Sequence, residues 1–133
     1  FGLTVTADIT EDELNLADAD AVVFPGGMPG AANLAASPTV KNAIAFALEH
    51  NRVIGAICAA PGVVLANTGA LSGKNYTCFP GFEVSEGNYT AAKVERDGNL
   101  VTGNGPAAAA EFAAAVAGAI SPKAEDLIRK MYK

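Results

Sequence analysis

The sequence predicts an α/β fold, with a mainly parallel sheet flanked by helices and a small antiparallel hairpin. Three observations carry that prediction. Ala21-Val22-Val23-Phe24 and Val53-Ile54-Gly55-Ala56-Ile57 are short, continuous apolar runs, as strands buried on both faces are. Ser37-Pro38 and Ser121-Pro122 each place an N-cap and an N1 proline ahead of a helical segment. Asp97-Gly98 sits between two strand-like segments as a hairpin signal. Strands that alternate with helices pair in parallel, because the crossover helix returns the chain to the same end of the sheet.

In chain order, Leu3 and Val5 alternate with Thr4 and Thr6, which reads as a strand from the first residues, Phe1-Gly2, onward. After a polar stretch, residues 20–24 form a buried strand that ends at Pro25-Gly26-Gly27. From Ser37, the residues Val40, Ile44, Ala47 and Leu48 share one helix face, and that helix runs to about His50-Asn51. Val53–Ile57 is the next buried strand. It passes through Cys58-Ala59-Ala60-Pro61-Gly62 into an apolar segment at 63–66, read as a helix ending near Gly69. Residues 76–79 read as a short strand stopped by Pro80-Gly81, and 89–96 with 99–103 as the hairpin. Pro106 opens an alanine-rich helix at 107–119, which is good helix sequence and calls for no functional reading. Ser121-Pro122 caps a last amphipathic helix carrying Leu127, Ile128 and Met131.

Composition narrows the function. The 133 residues suit one domain. Half are hydrophobic, and the mean hydropathy is +0.25, which supports a buried core and argues against disorder. Nine Lys and Arg against fourteen Asp and Glu leave a formal charge of −5, with a pI near 4.7. Nucleic-acid binding through phosphates needs clustered cations and is not expected. No apolar run approaches the roughly 18 residues of a membrane span, and no basic segment leads an apolar one as in a signal peptide. A membrane partner is therefore not expected. Cys58 and Cys78 are too few for a disulfide scaffold, so a reducing, cytoplasmic setting is expected. With His50 the single histidine, a Cys2His2 zinc site is beyond this chain alone, and no metal is expected.

In an open parallel sheet, ligands bind beyond the carboxyl ends of the strands. Three segments end there with unusual residues: Pro25-Gly26-Gly27, Ile57-Cys58-Ala59 and Thr102-Gly103-Asn104-Gly105-Pro106. The middle one has the layout of a nucleophile elbow, a strand turning sharply into a helix among the small residues Gly55, Ala56, Ala59 and Ala60. Such a turn holds the Cys58 thiol at the mouth of the sheet, where a helix start favours the thiolate. Amides of Gly27 and Ala59 would then receive an oxyanion. The alternative reading of Cys58 is a buried structural thiol.

Other residues carry weaker signals. Cys78 is either a resolving thiol for oxidised Cys58 or a core thiol, and the core reading is favoured. Asp8, Glu11, Asp12 and Glu13 lack calcium-loop spacing and read as a solvated helix start. Gly26, Gly27 and Gly30 make no phosphate loop, since no Lys-Ser/Thr follows. His50 ends a helix at the opposite edge of the sheet from the elbow and is expected to be exposed and non-catalytic.

The runs Asp20-Ala-Val-Val-Phe-Pro-Gly-Gly-Met-Pro-Gly30, Gly55-Ala-Ile-Cys-Ala-Ala-Pro61, Thr77-Cys-Phe-Pro80, Val94-Glu-Arg-Asp-Gly98 and Thr102-Gly-Asn-Gly-Pro106 together resemble the DJ-1/ThiJ/PfpI superfamily, on its DJ-1-like branch. The resemblance spans nearly the whole chain in order. It implies a flavodoxin-like three-layer α/β/α sandwich, a homodimer, no cofactor, and an oxidation-prone cysteine at the elbow, matched by Cys58. Gly27 matches the loop glycine whose amide faces that cysteine, and Ala59 supplies the second amide. Gly26, Asn104 and Phe79 stand at candidate substrate contacts, although Asn104 serves equally as a turn residue. The resemblance implies a cysteine-dependent enzyme acting on small reactive carbonyls, glyoxalase- or deglycase-like, with a role in oxidative stress. A non-catalytic redox sensor or chaperone is the alternative. A peptidase or amidase is a third, disfavoured because Phe79 stands where some relatives place a histidine.

The family's elbow cysteine is partnered by a protonated glutamate in the first βα unit, and no residue here matches it. Glu11 and Glu13 follow the wrong strand. Residues 1–133 therefore read as a single domain incomplete at its N-terminus, with a separate N-terminal segment as a candidate partner that completes it. Such a sheet leaves either Val53–Ile57 or the strand at 22–24 with an unpaired neighbour.

Overall fold

In the computed structural model, which describes residues 2–131, a four-stranded sheet has the order β1-β2-β6-β5. The strands are β1 (Ala21–Phe24), β2 (Val53–Ile57), β5 (Val94–Asp97) and β6 (Leu100–Gly103). β1–β2 and β2–β6 pair in parallel, while β5–β6 is the antiparallel hairpin. The mainly parallel sheet with one hairpin is thus present. The hairpin turn is Gly98-Asn99, one residue later than the Asp97-Gly98 signal, with Gly98 at φ +63° and Asp97 opposite Leu100.

The helices are α1 (Gly30–Ala36), α2 (Pro38–Glu49), α3 (Ala60–Val63), α4 (Ala109–Ile120) and α5 (Pro122–Met131). Alternation along β2 sorts them into layers. Ile54 and Ala56 join Phe24, Ile44, Ala47 and Leu100 in a core beneath α1–α3. On the other face, Val53 and Ile57 pack with Val101, Phe112 and Ala115 of the α4 side. Gly55 lies on this second face, where a Cβ would sit 3.2 Å from both Phe112 and Val116, so α4 rests directly on the strand. α2 begins as its sequence dictates, with the Ser37 hydroxyl accepting from the Val40 amide and Pro38 at N1. α1 has no cap signal and was not expected. It follows the Gly27 turn, where Ala31 N–H donates to the Gly27 carbonyl at 2.8 Å.

Three expectations are corrected and one open alternative is settled. Residues 3–6 form no strand, and Leu3 and Val5 are each 88 % exposed. An alternating pattern becomes a strand only where a neighbour accepts its hydrogen bonds, and no described strand does so here; Phe1 lies outside the described residues. Second, of the two strands expected to have an unpaired neighbour, it is the one at 21–24 and not Val53–Ile57. β2 is bonded on both sides, and β1 ends the order with its outer side unpaired among the described residues. Third, the helix expected at 63–66 is the single turn Ala60–Val63. Beyond it Leu65 N–H reaches back to the Ala60 carbonyl at 3.3 Å, Asn67 takes φ +60°, and the Glu86 carboxylate accepts from the amides of Asn67 and Gly69. Fourth, the strand at 76–79 shrinks to β3 (Asn75–Tyr76), paired in parallel with β4 (Asn88–Tyr89) as a second small sheet. The segment expected as one strand at 89–96 is accordingly split between β4 and β5. Among the described residues no helix is long and apolar enough to cross a membrane.

Candidate functional site

β2 carries the chain to the carboxyl edge of the sheet and stops at Cys58, which holds φ +65°. Left-handed backbone is costly for a residue with a Cβ, roughly 1–2 kcal/mol, and persists only where neighbours enforce it. They do so from both sides. Cys58 N–H donates to the Gly103 carbonyl at the end of β6, and the Cys58 carbonyl accepts from Phe79 N–H, both at 2.8 Å. Ala59 then turns into the right-handed region and α3 begins. The result is a half-buried thiol raised on a sharp strand-to-helix turn.

The loop after β1 packs against this turn. A Cβ on Gly26 would lie 2.6 Å from the Cys58 Cβ, 2.8 Å from the Ile57 carbonyl oxygen and 2.9 Å from the Ala59 nitrogen. Only a bare backbone fits there, so Gly26 is a packing requirement of the elbow. Gly27 follows at φ +88°, with open space where a side chain would project. Among the described residues, neither the Gly27 nor the Ala59 amide donates a hydrogen bond.

The far wall comes from residues 77–82. Thr77 N–H donates to Thr102 Oγ1 at 2.9 Å, and its hydroxyl donates to the Ala92 carbonyl at 2.6 Å. Those bonds pin the segment to β6 and to the stretch ahead of β5, and Phe79 N–H then reaches the Cys58 carbonyl. The Phe79 ring lies over Gly105, whose Cβ would sit 3.3 Å from it. Asn104 N–H donates to the Lys93 carbonyl at 3.0 Å, and the residue is half-buried. The structure therefore brings Gly26, Cys58, Ala59 and Phe79 into direct apposition. It places Asn104 beside them at the end of β6.

Cys78 is one residue from Phe79 but belongs to the core, fully buried among Leu71, Tyr76, Ala59 and Ala60. Burial pushes its thiol up to about 11, with the negative Glu83 adding to the effect. His50 caps the far end of α2, exposed, with Nδ1 3.0 Å from the Phe46 carbonyl and its ring stacked on Phe46 at 4.0 Å. Glu11, Asp12 and Glu13 form an exposed 3-10 turn capped by Thr10, whose hydrogen bonds hold the Asp12 and Glu13 carboxyls below their ordinary values. Among the described residues no three His, Cys, Asp or Glu side chains converge as metal ligands.

The contacts made by Thr102, Phe82 and Gly62 are not legible in the sequence. Thr102 ties strand to loop, and Gly62 lies so close to the Phe82 carbonyl that no side chain fits. The Thr102-Gly103-Asn104-Gly105-Pro106 segment was legible as a strand end, but its hydroxyl partner was not, because that partner lies far away in the chain.

Comparison with known proteins agrees with this architecture. The profile of the DJ-1/PfpI family matches residues 1–119. Protein DJ-1 homolog B of Arabidopsis thaliana is 37 % identical over 114 residues, 84 % of this chain and 26 % of that protein. The glutathione-independent glyoxalase DJR-1.2 of Caenorhabditis elegans is 29 % identical over 116 residues, 84 % of this chain and 61 % of that one. The crystal structure of Drosophila melanogaster DJ-1beta superposes with a TM-score of 0.87 at 32 % identity, covering 98 % of this chain and 72 % of that one. The chain spans about half the length, or less, of the first curated relatives it matches. On the family match over most of its length and the shared fold, the chain belongs to the DJ-1/PfpI family.

Proposed function

We propose that the chain carries the nucleophile of a cofactor-free, cysteine-dependent enzyme acting on small reactive carbonyls. The observation that supports it most is the Cys58 elbow: a half-buried thiol at φ +65°, clamped between the end of β6 and the 77–79 segment, packed on Gly26 and followed directly by the unpartnered Ala59 amide. In the proposed reaction the Cys58 thiolate attacks the aldehyde carbon of an α-oxoaldehyde and forms a C–S bond, while the carbonyl electrons move onto oxygen. The Gly27 and Ala59 amides stabilise that oxyanion. Protonation of the oxyanion gives a hemithioacetal. A base then takes the C–H proton as the neighbouring carbonyl oxygen is protonated, giving an enediol. Reprotonation on that neighbouring carbon with loss of the hemithioacetal O–H proton gives a thioester, which water hydrolyses to a 2-hydroxy acid and free thiol. The glyoxalase name of the Caenorhabditis elegans relative supports this substrate class.

Neither glutamate of the N-terminal turn is placed to act as that base. Glu11 bonds Thr39 and Glu13 bonds Thr10, both on the exposed 3-10 turn. We therefore propose that an N-terminal segment pairs along the open side of β1 and carries the acid to Cys58. β1 is one loop away from Gly26, so a strand added there ends next to the elbow. In a reducing, cytoplasmic setting both thiols stay free. The second reading, a non-catalytic redox sensor, is supported by the same half-buried thiol and requires no acid beside it.

The test is consumption of methylglyoxal by the native protein and by Cys58→Ser. The enzyme reading expects turnover that disappears in the variant. Turnover that survives Cys58→Ser removes Cys58 as the nucleophile, and no turnover in the native protein leaves the sensor reading.

A further inference from the structure

The aromatic side of the site has a consequence for substrate choice. Phe79 is 43 % exposed, a large apolar ring facing solvent at the carboxyl edge of the sheet. Exposed rings are unremarkable when free to move, but this one is held. Its amide is bonded to the Cys58 carbonyl at 2.8 Å, so its backbone follows the elbow. Its ring rests on Gly105, with Cδ2 and Cε2 at 3.3 and 3.7 Å from where a Cβ would be. Phe82 backs it edge-on, with centroids 6.5 Å apart, and Phe82 N–H donates to the Phe79 carbonyl at 3.1 Å. Phe82 in turn packs on the core, with its carbonyl against Gly62.

The charged groups nearby do not offset this apolar character. Both Glu83 carboxylate oxygens accept from Gly81 N–H, at 3.1 and 3.0 Å. Lys93, whose carbonyl holds Asn104, is itself ion-paired with Glu111. The rim beside Cys58 therefore presents a rigid aromatic face, with its nearby cation already paired.

Building on the carbonyl reading above, we infer that Phe79, backed by Phe82, is a specificity-determining wall that selects α-oxoaldehydes bearing an aryl group over methylglyoxal. An aryl substituent stacks on or edges against the Phe79 ring while its aldehyde carbon meets the thiol. A methyl group leaves the ring wet.

Two haloketones test this without requiring turnover. Phenacyl bromide and bromoacetone both alkylate a thiolate at CH2 with loss of bromide, and differ only in phenyl against methyl. Their rate ratio at Cys58, followed by peptide mass mapping and divided by the ratio for glutathione, isolates the protein's contribution. The wall predicts a normalised ratio of about tenfold, the size of one aromatic pairing. In Phe79→Ala the ratio falls to that of glutathione. In Phe79→Leu, which keeps apolar bulk and guards against a folding defect, it is intermediate. A native ratio equal to that of glutathione, or one unchanged in both variants, overturns the inference.

Phenylglyoxal and methylglyoxal turnover, measured in parallel, separates the two claims. An elevated, Phe79-dependent alkylation ratio without turnover of either glyoxal keeps the wall and removes the enzyme reading. Cys58-dependent turnover with no aryl preference keeps the enzyme and removes the wall.

Discussion

Cys58 and Cys78 carry the same functional group a few ångströms of backbone apart, since Phe79, next to Cys78, bonds the Cys58 carbonyl. Their surroundings differ in every respect that governs thiol chemistry. Cys58 stands half-buried on a left-handed turn, supported by Gly26 and by two backbone bonds. Cys78 is sealed among Leu71 and Tyr76, with burial pushing its thiol up to about 11. A thiol is reactive through its anion and its access, so the fold, not the residue type, divides the pair into a reactive and an inert member.

The division breaks most severely at Gly26. Gly26→Ala drives a Cβ into the Cys58 Cβ and two backbone atoms, none of which can rotate away. We expect a loss of about 3 kcal/mol in denaturant unfolding, as for overpacking of a tight core. The reactivity of Cys58 falls with it. Gly30→Ala is the contrasting variant. Its Cβ meets nothing within 4 Å at the start of α1, so it gains about 0.5 kcal/mol through a stiffer unfolded chain.

A smaller effect sharpens the other half of the comparison. Cys78→Ala leaves a small core void and costs about 1 kcal/mol, whereas the half-exposed Cys58→Ala costs little. The two also differ with pH. Since the Cys78 thiol ionises at about 11 in the fold against 9.0 ordinarily, the unfolded chain releases its proton first as pH rises. The stability held by the neutral thiol is intact below pH 9 and declines from there to about pH 11. Unfolding midpoints measured over that window should fall for the native chain and fall less for Cys78→Ala.

What could be read from the sequence follows the range of the forces involved. α2, β2, the hairpin, α4 and α5 announce themselves through local signals: Ser37-Pro38, a continuous apolar run, Gly98, Pro106 and Ser121-Pro122. The elbow was legible because the small residues around Cys58 are what a sharp turn tolerates. The strand expected at residues 3–6 failed because a period-2 pattern says nothing about whether a neighbouring strand exists. Gly26 was recognised as a loop glycine, but its contact with Cys58 joins two loops and leaves no mark in either. The same holds for the Thr77–Thr102 bond, which places the aromatic wall, and for Glu86, which holds the chain beyond α3 in a turn by accepting from two amides across a loop.

The most direct measurement is the order of oxidation of the two thiols. Native protein is treated with limiting hydrogen peroxide at neutral pH and mapped by peptide mass spectrometry over time. Sulfinic acid is expected to accumulate at Cys58 while Cys78 remains a thiol until the protein unfolds. Oxidation of Cys78 first, or of both at the same rate in the folded protein, would contradict the assignment of Cys58 as the reactive centre.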